Sequence, residues 1–68
     1  MTSRQKLSVE ECKSIARDLG QQSQVTSVTQ RFAGGGYPVV VIRIGKGSYR
    51  SIATFAEYVE LKKDLANL

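Results

Sequence analysis

The chain has 68 residues, with ten lysines and arginines against six acids, no histidine and one cysteine. That length supports one domain whose folding buries only about 60% of the unfolded surface. A single thiol excludes an internal disulfide, and with no histidine beside it there is no structural zinc site. Such a chain is left with self-association or a very good core as its source of stability.

Met1 to Lys6 is polar and lacks the apolar stretch of a signal peptide. The longest apolar run, Val39 to Ile42, is strand-sized, far short of the ~20 residues that cross a bilayer. A cytoplasmic protein is expected, with residues 1–7 as a flexible basic arm carrying Arg4 and Lys6.

Ser8 and Glu11 have the spacing of a capping box and predict a helix from Ser8 to Gly20. Leu7 and Cys12 take the two staple positions. Val9, Cys12, Ile15, Ala16 and Leu19 form one apolar stripe, and Gly20 is expected to end the helix in a left-handed conformation. Cys12 reads as a small core residue.

After a polar connection the period changes to two. Val25 to Phe32 predicts a strand, with Thr26, Val28, Gln30 and Phe32 on one face. Ala33 to Gly36 is a glycine loop, and Tyr37-Pro38 opens a second strand, where proline is tolerated at the start. Val39 to Ile44 is apolar on both faces, as for a central strand covered twice. Gly45-Lys46-Gly47 turns the chain into a short third strand, Ser48 to Ala53. A two-residue Lys46-Gly47 turn pairs Ile44 with Tyr49, Arg43 with Arg50 and Val41 with Ile52; a bulged three-residue loop shifts that pairing. Thr54 and Glu57 repeat the capping-box spacing, and Phe55, Tyr58, Leu61, Leu65 and Leu68 trace the apolar face of a second helix. The expected architecture is a single α+β domain: helix, antiparallel sheet of two or three strands, helix.

The chemistry is bounded mainly by what is missing. Without histidine there is no Ser-His or Cys-His pair. All six carboxylates lie on the predicted helices, most at cap or exposed positions. Lys46 precedes Gly47 and not Ser or Thr, so the glycines do not form a phosphate loop. No enzyme, cofactor, metal or small-molecule substrate is expected.

The charge is segregated. Each predicted helix carries two cations against three acids. Between Leu19 and Ala56 the only charges are Arg31, Arg43, Lys46 and Arg50. Around the Gly45–Gly47 turn these cations, free amides and the Tyr49 ring supply what phosphate and base contact needs, and Tyr37 and Tyr49 can stack on unpaired bases. The alternative is a basic turn that keeps a sheet edge from aggregating.

The leading expectation is therefore a non-catalytic regulatory protein that contacts nucleic acid through Arg31, Arg43, Lys46, Tyr49 and Arg50, with Arg4 and Lys6 as an arm. Two other classes compete. One is an inhibitor or adaptor that blocks an acidic host protein; the other is a structural subunit of a larger particle. If both helices cover one face, Val39, Val41 and Ile52 lie on the other, where they would support a homodimer; the alternative is that the helices pack on opposite faces. In element order and length the chain resembles phage head-to-tail joining proteins, and in general style it is similar to the short accessory proteins of phages and mobile elements. The resemblance is one of layout and carries no residue across.

Overall fold

The computed structural model describes residues 6–67. The elements run α1 (Val9–Gly20), β1 (Val25–Phe32), β2 (Pro38–Ile44), β3 (Ser48–Ile52) and α2 (Phe55–Ala66). The strands form one antiparallel sheet in the order β1-β2-β3. Among the described residues no helix is long and apolar enough to cross a membrane.

Both capping boxes form. Ser8 and Thr54 accept from the Glu11 and Glu57 amides, and the two carboxylates accept from the cap amides in return. Glu57 also accepts from the Ala53 amide at 2.7 Å. The helices lie on the same face of the sheet and run in the same direction. Their starts are tied by a Lys6–Thr54 bridge and by the Leu7 amide donating to the Ala53 carbonyl, and the Gln24 side chain donates to the Leu65 carbonyl at the far end. Lys6 and Leu7, expected in a flexible arm, are instead part of the fold: Lys6 is paired and Leu7 is buried in the core. Arg4 and Leu68 lie outside the described residues.

The core joins Leu7, Cys12, Ile15 and Leu19 from the first part of the chain to Val40, Ile42, Ile52, Leu61 and Leu65. Val25 and Val28 both pack against it, although three residues apart on a strand they would face opposite ways. A bulge resolves the conflict. The register steps between Val25 and Ser27, and the Thr26 hydroxyl sits within 3.2 Å of the Arg43 and Gly45 carbonyls.

Three expectations need correction. Gly20 stays right-handed as the last helical residue; the cap is Gln21, whose amide donates to the Asp18 carbonyl while the Gln22 amide donates to that of Leu19. The positive-φ glycines are Gly36 and Gly45, which turn the two hairpins. The second hairpin has the three-residue loop, pairing Ile44 with Ser48, Arg43 with Tyr49 and Val40 with Ile52. The two-residue turn would have pointed Ile52 away from the helices. In the observed register it is 1% exposed, and burying such a side chain contributes about 1.5–3 kcal/mol. That gain outweighs the apolar pairing of Ile44 with Tyr49. Finally, the helices cover β2 on one face only: Val40 and Ile42 enter the core, while Val39, itself only 7% exposed, and the half-buried Val41 face the other way.

Candidate functional site

The one-residue shift of β3 sorts the expected site residues into two groups. Strand alternation places Ser27, Thr29 and Arg31 of β1, Val39, Val41 and Arg43 of β2, and Tyr49 and Ser51 of β3 on the open face. Arg31 lies opposite Val39, and Arg43 opposite Tyr49. Tyr49 is 64% exposed, and the Arg43 guanidinium lies 5.9 Å from its ring centroid. Lys46 is exposed at the tip of the same hairpin.

Arg50 is not part of this face. It stands opposite Ile42 on the helix side, and its Nη1 meets the Asp64 carboxylate at 3.0 Å. The charge is neutralised there, so the expected cluster of Arg43 with Arg50 does not form. Ile52, assigned with Val39 and Val41 to a self-association face, is in the core instead. Val39 and Val41 do lie on the open face.

Arg43 is only partly free. Its Nη2 donates to the Lys46 carbonyl, which fastens the strand to the tip of its own hairpin, and its Nε is buried without a partner. The remaining guanidinium edge and the Tyr49 ring put a cation beside an exposed aromatic surface. Lys6 supplies a second such pair, with Nζ 4.7 Å from the Tyr37 ring centroid. Sequence reasoning missed that pairing, because thirty-one positions separate the two residues and only the bridge to Thr54 brings Lys6 to the sheet.

At the glycine-loop end the open face dips into a shallow cavity of about 430 Å³. Val39 and Val41 belong to its lining, with Arg31, Phe32 and Tyr37 from the β1–β2 hairpin and Ser51, Ala53 and Glu57 from the opposite side. Phe32 follows the helix-facing parity of β1 but is 66% exposed and lies outside the core.

The helix layer has a different character. Asp18 accepts from the Lys62 ammonium at 2.8 Å and from the Tyr58 hydroxyl, linking the two helices. The hydrogen bonds from Lys62 and Tyr58 hold the Asp18 carboxyl below its usual range, and the bond to Asp18 raises Lys62. Burial, then the bond to Asp18, pushes the Tyr58 hydroxyl up. Burial also raises the Cys12 thiol, with Glu11 adding to it, so Cys12 is an unreactive core residue. An apolar groove lined by Leu7, Ile15, Phe55 and Tyr58, with Glu10 and Glu11 beside it, runs between the helix starts.

No family model matches the chain, and no curated protein or solved structure matches it.

Proposed function

We propose that the protein is a non-catalytic binding module whose open sheet face takes nucleic acid. One observation carries this reading: the acids reside on the helices, while the open face presents Arg31, Arg43 with Tyr49, Lys6 with Tyr37, and Lys46 at its edge. Cations placed beside exposed rings suit a flexible strand, with phosphates on the cations and bases on the rings. Exposed rings beside cations serve unpaired bases, which favours single strands over duplex.

Fluorescence anisotropy with short single- and double-stranded DNA and RNA tests the proposal. Binding should weaken steeply with salt. An Arg31→Ala/Lys46→Ala double variant should flatten the log–log salt slope by about 0.7 for each phosphate that is no longer neutralised. Absence of binding at low salt would sink the reading.

A second reading, an adaptor or inhibitor that binds a host protein, draws on the groove between the helices and on Phe55, which is 52% exposed beside it. Self-association through the face that carries Val41 would compete for the same surface. Sedimentation with and without oligonucleotide separates these cases, since a dimer closed over that face should dissociate as the strand binds.

A further inference from the structure

We infer that the cavity at the glycine-loop end of the open face is a nucleotide pocket selective for bases carrying an exocyclic amino group. This rests on the nucleic-acid reading and sharpens it. The cavity, about 430 Å³, is open to solvent. Val41 gives it an apolar patch, with Val39 only 7% exposed beside it, and Tyr37 adds an aromatic wall. Those surfaces suit a flat base. The polar groups stand on opposite rims. Arg31 is on β1 and Glu57 lies beyond β3, and the outer strands are separated by about 10 Å across β2. A nucleotide lying across the pocket therefore sets its phosphate at the cation and its base edge at the carboxylate.

Glu57 gives the selectivity. It is the acidic residue in the lining of a cavity whose strands contribute no acid. Its Oε1 already accepts from the Ala53 and Thr54 amides, at 2.7 and 3.1 Å. Those two bonds fix the carboxylate, and Oε2 takes part in neither. Adenine, cytosine and guanine present an amino group to such an acceptor. Thymine and uracil present one imino N–H between two carbonyl oxygens, which a carboxylate repels. A charge-assisted bond to a positioned carboxylate is strong enough to give a preference of about tenfold.

Glu57→Gln is the informative variant. Glutamine keeps the capping box, because its Oε1 can still accept from the cap amides. Its Nε2 then occupies the Oε2 position and replaces an acceptor with a donor. The measurement is anisotropy of labelled dA, dC and dT octamers on the wild type, Glu57→Gln and Arg31→Ala, with circular dichroism to confirm folding. AMP and UMP serve as competitors.

The inference expects dA and dC to bind about tenfold tighter than dT. The preference should vanish or invert in Glu57→Gln, while Arg31→Ala weakens all three strands alike. Competition by AMP at concentrations where UMP fails would assign the same chemistry to a free nucleotide. Equal binding of the three strands, unchanged by Glu57→Gln, would overturn the pocket and leave the nucleic-acid reading standing. No binding of any strand or nucleotide would overturn both.

Discussion

The two faces of the sheet are built from the same strands and differ in nearly everything else. Toward the helices, Val40, Ile42 and Ile52 are fully enclosed, and the charges near them are matched, Arg50 with Asp64 and Lys62 with Asp18. Away from the helices, the alternate residues of the same strands leave Arg31 and Tyr49 exposed, and Lys46 is exposed in the turn. One face satisfies its polar groups internally. The other keeps cations and rings available, with Lys6, Arg31, Arg43 and Lys46 in no ion pair among the described residues.

The largest effect should separate the faces by stability. Ile42→Ala removes a fully buried side chain and should cost about 2–5 kcal/mol. That is a large share of the roughly 3–10 kcal/mol available to a domain this size. Val41→Ala, one position along on the half-buried open face, should cost less than half as much in the same urea titration. Equal losses would mean that the open face is packed against something in solution, such as a second copy.

Thr54→Ala should cost about 1 kcal/mol by removing the cap of α2, again read by urea unfolding. Acid should act on the helix layer before the sheet face. The Asp18 carboxyl is depressed in the folded state, so its contribution is fully present above the ordinary carboxylate range and is lost as pH falls through the folded value. Lys62 and Tyr58 are raised, so their contributions hold below their ordinary ranges and fade as pH rises through the folded values. Asp18→Asn should therefore flatten the acid limb of a plot of melting temperature against pH. An unchanged limb would place the sensitive carboxylate elsewhere.

Gly20→Ala should stabilise by about 0.5–1 kcal/mol, because Gly20 is helical with no positive φ and an added Cβ would meet only Val28 Cγ2, at 3.9 Å. A loss would reveal crowding at the end of α1. The smallest expected effect is that of Arg50→Ala. An ion pair this exposed is worth about 0–1 kcal/mol, and the side chain lies on the helix side, so oligonucleotide affinity should scarcely change. A loss of affinity equal to that in Arg31→Ala would contradict the division of the arginines.

Most of the fold is legible in the sequence because its signals are local. The two capping boxes lie within four residues each, the stripe from Cys12 to Leu19 has one period, and glycines mark both hairpins. The candidate site is legible as a composition and not as an arrangement. The pattern singles out Arg43 and Tyr49, which do share a face, but it sets Arg50 beside them. A two- and a three-residue turn at Gly45–Gly47 differ by one step of register, and one step exchanges the faces. Only the enclosure of Ile52 in the core decides between them. The Lys6–Tyr37 pair and the placement of Glu57 at the cavity rim depend on contacts between distant segments, for which no local pattern exists.

The most direct test of the open face as the binding surface is a ¹⁵N chemical-shift titration with a single-stranded octamer at low and physiological salt. The account expects the largest changes at Arg31, Val39, Val41, Arg43 and Tyr49, with helix amides such as Arg17 and Glu60 left in place. Changes centred on Leu7, Ile15 and Phe55, or none at low salt, would contradict it.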